Sequence, residues 1–111
     1  MSSRCYISGP YSSDPIKGTE EALRVGTIAY ANGFYPYVPH LSHFWHERHP
    51  MVYERWLELD LEWLEACDIL VRLPGESKGA DREVAHAQKL GIEVYTLDEF
   101  LALLESDNGE G

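Results

Sequence analysis

The segment from Ser77 to Glu83 combines residues that can bind a small polar ligand with a carboxylate that can do chemistry. It follows an apolar, β-branched stretch typical of a buried parallel strand, and its serine and glycine indicate a loop that opens a helix. At a helix start, free N–H groups and the helix dipole favour an ionised carboxylate and attract a ligand's phosphate or hydroxyls. A nucleophilic carboxylate must stay ionised yet be partly dehydrated, and this segment provides both conditions for Glu83. The alternative is an ordinary solvated glutamate on a helix.

Asp60 is the second candidate, because its surroundings are expected to be apolar. On a helix, its neighbours three and four residues away would be Trp56, Leu57, Trp63 and Leu64. A carboxylate among such neighbours is partly buried, and buried acids are usually paired or functional. Asp60 could equally bind only a backbone or arginine group. A partly buried acid near an ionised one is also the pattern that separates a general acid from a nucleophile, so Glu83 and Asp60 are predicted as the catalytic pair.

Four histidines recur at every third position in a stretch bounded by prolines. They are His40, His43, His46 and His49, and Phe44 and Trp45 lie among them. A metal site is one interpretation, because imidazole is a common metal ligand. However, no cysteine or paired carboxylate joins the run, and the proline-bounded stretch is not expected to form a regular helix. We therefore predict that His43 and Trp45 contact a flat ligand, and we expect no metal.

Small and basic residues at two of the loops could bind an anion. The set is Ser8, Gly9, Ser77, Lys78, Gly79 and Arg82. Ordinary turn chemistry explains the serines and glycines equally well. Neither a Walker loop nor a dinucleotide-binding GxGxxG motif is present, so ATP hydrolysis and NAD chemistry lack their usual motifs and no cofactor is expected.

Strands that alternate with helices must position these residues. Strands are predicted at 4–8, 34–39, 68–73 and 92–95, and helices at about 15–32, 51–67, 80–90 and 97–105. The alternation predicts a three-layer α/β/α fold of the flavodoxin-like (Rossmann-like) kind, with a parallel sheet of about four strands in the order 2-1-3-4. Two prolines place the second strand at the sheet edge. Ligands bind at the carboxyl ends of such strands, so the loops 8–13, 40–49 and 75–83 are expected to meet.

Composition limits the domain count and the partners. The 111 residues, 44% of them apolar, predict a single domain over residues 1–105 and a flexible acidic tail over 106–111. The formal charge of −10 argues against binding nucleic acid polymers or anionic membranes. Only two cysteines occur, and no signal peptide or long apolar run is found, so we expect a cytoplasmic protein with free, buried thiols.

The helix predicted at 51–67 is apolar on more than one face. Val52, Trp56, Leu59 and Trp63 form one stripe, and Tyr53, Leu57, Leu61 and Leu64 form another. A single sheet can cover only one of these stripes. A homo-oligomer built partly on this helix is therefore predicted.

Several of these segments, taken together and in order, resemble the nucleoside 2-deoxyribosyltransferase family. That family includes the 2′-deoxynucleoside 5′-phosphate N-hydrolases, and short members of it are similar to this chain. The resemblance is carried by Tyr6-Ile7-Ser8-Gly9-Pro10-Tyr11, Asp60, Cys67-Asp68, the pattern Ser77-x-Gly79-x-x-x-Glu83, and Gly91-Ile92-Glu93-Val94. It runs from about residue 4 to residue 96, which is most of the chain.

The resemblance implies an enzyme that performs a retaining displacement at the anomeric carbon of a 2′-deoxynucleoside or its 5′-monophosphate. Glu83 matches the family's nucleophile, and Asp60 matches the aspartate that contacts the deoxyribose or assists the leaving base. The segment beside the sugar and base is matched by Tyr6, Ser8, Gly9 and Pro10. Ser77, with Gly79 after it, matches the position that holds a 5′-phosphate in the monophosphate hydrolases, where a carboxylate would repel phosphate. The predicted activity is hydrolysis or base exchange of the N-glycosidic bond.

A second hypothesis keeps the ligand but not the chemistry. The chain is shorter than typical transferases and has no evident C-terminal segment of the kind that completes a neighbouring subunit's site. On this hypothesis, it is a non-catalytic nucleotide-binding or sensing module of the same fold. Under both hypotheses the partner is a small-molecule nucleoside or nucleotide.

Overall fold

A computed structural model describes residues 3–110 of the chain, with the backbone alone for 107–110. Within these residues the strands are β1 Ser3–Ser8, β2 Phe34–Tyr37, β3 Ile69–Arg72 and β4 Glu93–Thr96. The helices are α1 Pro15–Ala31, α2 Ser42–Arg48, α3 Tyr53–Leu64, α4 Lys78–Leu90 and α5 Leu97–Glu110, and a 3₁₀ turn covers Pro39–Leu41. Strands and helices alternate along the chain, as predicted.

The four strands form one parallel sheet in the order β2-β1-β3-β4, which confirms the predicted fold class. β2, the strand with an internal proline, lies at the edge, where a missing N–H donor costs least. Ser8 at the end of β1 pairs with Arg72 at the end of β3. The loops that follow these two strands therefore leave the sheet side by side.

Side chains of β1 alternate between two helical layers, because successive strand residues point to opposite faces. Cys5 and Ile7 pack in a core cluster with residues of α1 and α5. Tyr6 faces the other way and packs in a second cluster with Leu64 of α3 and Ala87 of α4. This alternation gives the three layers, and it turns Tyr6 and Ser8 toward α4.

Residues with local capping preferences set the helix ends. Asp14 caps α1 by accepting a hydrogen bond from the backbone N–H of Lys17 at 3.1 Å, with Pro15 at the first helical position. α4 is followed by Gly91, whose φ of +78° favours glycine. Thr96 and Glu99 form a capping box at the start of α5, with reciprocal hydrogen bonds of 2.8 and 3.1 Å.

Three helix boundaries differ from the prediction. The stretch 40–49 was not expected to form a regular helix, and this prediction is wrong: it contains the 3₁₀ turn and α2. Pro39 occupies a first turn and Pro50 follows the end of α2, so the prolines bound the helix and do not break it. α3 is shorter than the predicted 51–67, and α5 continues five residues beyond the predicted end at 105, into the segment predicted as a tail. Residue 111 lies outside the described residues.

Both cysteines are buried and unpaired, as expected. Burial raises the pKa of the Cys5 thiol to about 12 and that of Cys67 to about 11, so neither is a reactive thiolate. Across residues 3–110, every helix is too short or too polar to cross a bilayer.

Candidate active site

Glu83 lies in the second turn of α4, and its side chain is buried against β1. It is only 7% exposed. The Tyr6 hydroxyl donates a 2.6 Å hydrogen bond to Oε2, and the Ser8 hydroxyl donates a 2.7 Å hydrogen bond to Oε1. Both donors come from alternate positions of β1, the ones that point to the α4 face. The fold therefore satisfies both oxygens of a buried carboxylate with two hydroxyls.

Opposing effects act on the ionisation of Glu83. Burial raises its pKa above the usual glutamate value, whereas the hydrogen bonds from Tyr6 and Ser8 and the charge of Arg72 lower it. Burial, followed by the negative charge of Glu83, raises the pKa of Tyr6, so Tyr6 remains a proton donor to the carboxylate. Arg72 is itself held in place, since it donates to the carbonyl of Gly75 at 2.9 Å and to Asp81 at 3.1 Å.

Asp60 lies in α3 and is partly buried, as expected from its apolar helical neighbours. Burial, followed by the negative charge of Glu83, raises its pKa to about 7, and a hydrogen bond with the Tyr37 hydroxyl lowers it in part. Its Oδ1 atom is buried and has no hydrogen-bond partner among residues 3–110. A raised pKa of this kind allows a carboxyl group to donate or accept a proton near neutral pH.

Glu83 and Asp60 line the same pocket, a cavity of about 660 Å³ at the carboxyl end of the sheet. Its wall is contributed by the three predicted loops together with α3: Gly9, Tyr11, His40, His43, Trp56, Ser77, Gly79 and Arg82 are among the lining residues. This volume lies in the range of pockets that bind small molecules. The expectation that the three loops meet at one site is confirmed.

The remaining predicted site residues fall into three groups. Gly9, His43, Ser77 and Gly79 line the pocket directly. Tyr6 and Ser8 are hydrogen-bonded to Glu83, and the carbonyl of Pro10 accepts a 3.2 Å hydrogen bond from Nε2 of His40. Trp45 is not among the lining residues, because its ring packs edge-on against Trp56 with 5.1 Å between centroids and is 54% exposed.

The glycines and Ser77 also have roles in packing. A Cβ atom on Gly9 would lie 2.8 Å from Cβ of Leu73, so a side chain there is excluded by the strand-end packing itself. Ser77 caps α4 by accepting from the backbone N–H of Ala80 at 3.1 Å. This contact uses the Ser77 oxygen as an acceptor and leaves its hydroxyl proton able to donate to a ligand.

The described residues contain no group of three His, Cys, Asp or Glu side chains placed to hold a metal ion. The histidines at 40, 43 and 46 instead make separate contacts. His46 Nδ1 accepts hydrogen bonds from the Trp56 indole at 2.7 Å and from the backbone N–H of Met51 at 3.2 Å. These rings therefore fasten the 40–49 segment to its neighbours.

Comparison with known proteins identifies the family. A family model described as "Domain of unknown function (DUF7768)" matches residues 3–97, which is most of the chain. The chain belongs to the DUF7768 family. A search of curated proteins finds no match to the sequence.

Solved structures with the same fold include two 2-deoxyribosyltransferases. The protein from Leishmania mexicana superposes with a TM-score of 0.65 and 21% sequence identity over 85% of this chain and 63% of its own length. The protein from the psychrotolerant bacterium Bacillus psychrosaccharolyticus gives a TM-score of 0.59 and 19% identity over 84% of this chain and 70% of its own. The chain thus spans less than two thirds of the Leishmania protein. At this identity the similarity establishes that the DUF7768 chain shares their α/β fold.

The pocket of this DUF7768 protein also contains residues that the sequence did not single out. Tyr11 and Trp56 line it, and Tyr37 reaches the Asp60 carboxyl from the end of β2. Tyr37 had a usable signal, since it ends a strand whose carboxyl end was expected at the site. Trp56 also had a signal, since it precedes Asp60 by four residues and therefore lies on the same face of α3.

Two carboxyl groups with different proton affinities in one pocket can divide a reaction between them. Glu83 receives two hydroxyl hydrogen bonds that favour its ionised form, as a nucleophile requires. Asp60, with a pKa near neutrality, can donate and accept a proton at physiological pH. This arrangement fits a displacement in which one group bonds to carbon while the other transfers a proton.

Proposed function

We propose that this DUF7768 protein cleaves the N-glycosidic bond of a 2′-deoxynucleoside or its 5′-monophosphate, with Glu83 as the nucleophile. The observation that carries the proposal is the pairing of a buried, doubly hydrogen-bonded Glu83 with a partly buried Asp60, whose Oδ1 has no hydrogen-bond partner among residues 3–110, in one pocket. The fold shared with two 2-deoxyribosyltransferases supports a nucleoside as the substrate. The pocket is walled by three loops, which favours a small molecule over a polymer as the substrate.

In the first step, an oxygen of Glu83 forms a bond to C1′ of the sugar as the C1′–N bond to the base breaks. The electron pair of that bond goes to the base nitrogen. Protonated Asp60 donates its proton to the leaving base, and the sugar remains attached to Glu83 as an ester. The hydrogen bonds from Tyr6 and Ser8 hold the carboxylate in position for attack.

In the second step, water or a second base attacks C1′ and the ester bond to Glu83 breaks. Asp60, now ionised, takes the proton of the attacking water. Two displacements at the same carbon retain the configuration of the sugar, and both carboxyl groups return to their starting states. A pKa near 7 suits Asp60 to act first as an acid and then as a base.

The start of α4 supports a 5′-monophosphate as the preferred substrate. Ser77 offers a hydroxyl proton, Lys78 lines the pocket, and the N-terminal end of this 13-residue helix favours an anion. A 5′-phosphate would bring an anion to these groups, whereas a free nucleoside has none to offer. We therefore propose hydrolysis of a deoxynucleoside monophosphate as the main reaction, with base exchange as the lesser one.

The decisive experiment is incubation of the purified protein with the four common deoxynucleosides and their 5′-monophosphates, with chromatographic detection of the free base. Adding a second base separates exchange from hydrolysis. Glu83→Gln should abolish release, while Glu62→Gln, a change at an exposed position of α3, should not. No release from any substrate by the folded protein, or full activity in Glu83→Gln, would overturn the proposal. Nucleotide binding without release, unchanged in Glu83→Gln, would instead select the non-catalytic module.

We further propose that the protein forms a homo-oligomer through α3 and its N-terminal flank. The side chains of Val52, Tyr53 and Trp63 are 67%, 50% and 53% exposed, and they belong to the two apolar stripes of this helix. Sedimentation velocity should show a species larger than a monomer, and Val52→Lys should shift it toward the monomer. A wild-type protein that stays monomeric at high micromolar concentration contradicts this proposal.

A further inference from the structure

A chain of three polar side chains connects the surface to the pocket wall. Nε2 of His43, in α2, lies 2.8 Å from Oε1 of Glu47, one helical turn further on. Nδ1 of the same ring is hydrogen-bonded to the hydroxyl of Tyr11, in the loop between β1 and α1. Tyr11 and His43 both line the pocket, and their rings meet edge to face at 5.6 Å. Neither contact is used by the mechanism above.

The direction of each hydrogen bond in this chain follows from the groups involved. An ionised carboxylate has no proton, so Nε2 of His43 must donate to Glu47. A neutral imidazole carries a single N–H, and with that proton on Nε2 its Nδ1 can only accept. With the ring in this neutral form, the Tyr11 hydroxyl is therefore the donor to His43. Burial, followed by the charge of Glu47, raises the pKa of Tyr11, which keeps this proton on the phenol.

A hydroxyl that already donates its proton in a hydrogen bond can offer a ligand only its oxygen lone pairs. Tyr11 thus presents an acceptor to the pocket, and it prefers a ligand group that donates. Tyr11 follows Ser8 by three residues, so their Cα atoms are within about 10 Å even in a fully extended chain. Ser8 in turn contacts Glu83, so the acceptor is near the group that would bond to C1′ of the sugar.

We infer that the Glu47–His43–Tyr11 relay is a specificity device, which makes Tyr11 an obligate acceptor for the 3′-hydroxyl of the sugar. This inference rests on the proposed function. The 3′-hydroxyl is the donor that every 2′-deoxynucleoside and its 5′-monophosphate share, whereas the donors of the bases differ. Tyr11 binds the substrate directly, and His43 and Glu47 are positioning residues that set the direction of its hydroxyl.

The relay can be tested first in the ligand-free protein. Long-range proton–nitrogen NMR spectra of the histidine rings at about pH 8, where histidines are ordinarily neutral, should show His43 protonated at Nε2 and bare at Nδ1. Tyr11→Phe should shift the Nδ1 signal of His43 and leave that of His86 unchanged. A His43 ring protonated at Nδ1 would reverse the direction of the hydroxyl and overturn the inference.

The second test compares substrates with and without the 3′-hydroxyl. The probes are a 2′-deoxynucleoside 5′-monophosphate that the protein cleaves and its 2′,3′-dideoxy analogue. The wild-type protein should prefer the 3′-hydroxyl by about tenfold in kcat/KM, since one neutral hydrogen bond contributes about that much. Tyr11→Phe should reduce this preference to about twofold or less, chiefly through KM.

Variants of Glu47 distinguish two roles of this residue: orienting the Tyr11 hydroxyl through His43, or only packing α2 against its neighbours. In Glu47→Gln the amide oxygen can still accept from Nε2, so the 3′-hydroxyl preference should persist, whereas Glu47→Leu should lower it several-fold. The matched control is Glu65→Leu, which removes a similar pair outside the pocket, Glu65 with His86 at 3.1 Å. That change should leave the preference unaltered.

The outcomes distinguish this inference from the proposed function. If the wild-type protein releases no base from any substrate, both fall together. If it is active but Tyr11→Phe keeps the full 3′-hydroxyl preference, only the relay is refuted. A variant that weakens both probes equally, with a lower Tm, would show that Tyr11 and His43 only dock α2, and this result also overturns the inference.

Discussion

Glu83 and Asp60 reach the same pocket from neighbouring helices, yet the fold treats their carboxyl groups in opposite ways. Glu83 is the more buried of the two and receives a hydroxyl hydrogen bond at each oxygen. Asp60 is less buried, but its Oδ1 has no hydrogen-bond partner within residues 3–110. If burial alone acted, the pKa of Glu83 would be raised more than that of Asp60. The hydrogen bonds to Glu83 and the charge of Arg72 offset part of the rise in pKa that burial causes at this residue, whereas the charge of Glu83 adds to the rise at Asp60.

Replacing Asp60 should produce the largest effect among changes that leave the nucleophile intact. Asp60→Asn cannot transfer a proton, so kcat for base release should fall about 10²-fold. In the wild-type protein, the rate should fall as pH rises through about 7, because Asp60 loses the proton that it donates to the base. The variant should lack this decline in its pH profile. A variant that keeps the same decline would assign the proton to another group.

Removing a donor from Glu83 should make the two carboxyl groups more alike. Tyr6→Phe deletes the 2.6 Å hydrogen bond to Oε2 and leaves that oxygen buried, so kcat/KM should fall about tenfold and the free energy of unfolding by about 1–3 kcal/mol. The pKa of Glu83 should rise further, which moves the acidic limb of the kcat/KM profile to higher pH. Tyr30→Phe, at a 66% exposed position, is the control. An unmoved acidic limb would show that Tyr6 does not tune the nucleophile.

The Asp60 comparison also predicts a trade between stability and activity. Folded Asp60 holds its proton up to about pH 7, whereas the unfolded chain releases it near pH 3.8, the ordinary value for an aspartate. Between these values the folded state binds more protons, so the free energy of unfolding falls as pH rises. Asp60→Asn should remove this loss and be more stable than the wild type by about 1–2 kcal/mol at about pH 8. Urea denaturation of the wild type and of Asp60→Asn at about pH 5 and about pH 8 measures this difference in stability. If the two proteins are equally stable at both pH values, folding does not raise the pKa of Asp60.

Ser77 should give the smallest effect, and one that divides into two parts. Ser77→Ala removes the helix cap on Ala80 and should cost about 1 kcal/mol of stability. It should also lower kcat/KM for a monophosphate about tenfold while leaving that for the free nucleoside nearly unchanged. Ser77→Thr keeps the hydroxyl and should retain both properties. Equal losses for the two substrates would show that Ser77 caps the helix but does not bind phosphate.

Features that depend on local chain chemistry were predictable. Periodic apolar residues and prolines gave the strand order and the edge position of β2, and cap residues such as Asp14, Thr96 and Gly91 marked helix ends. Partial burial of Asp60 followed from helical spacing alone. The boundaries of the helices were less predictable. The residues of α2 have only a weak intrinsic preference for a helix, and this helix is supported by contacts such as that of Trp45 with Trp56.

The partners of the carboxyl groups were not predictable from spacing. Tyr6 and Glu83 are separated by 77 positions, and only the placement of α4 over β1 makes one the donor to the other. Trp45 and Trp56 are equivalent as aromatic residues, yet the packing of α2 on α3 turns only Trp56 to the pocket. Likewise, nothing in the sequence pairs Tyr11 with His43.

Four strands, every helix except α2, the order of the parallel sheet and the helix that opens at Ser77 to Glu83 were all predictable from the sequence. These properties arise from interactions between residues close in the chain and from the handedness of parallel crossovers. The difference between Glu83 and Asp60 arises only in the folded protein. The charge state of a carboxyl group depends on desolvation and on hydrogen bonds from residues distant in the chain, which exist only once β1, α3 and α4 have packed together.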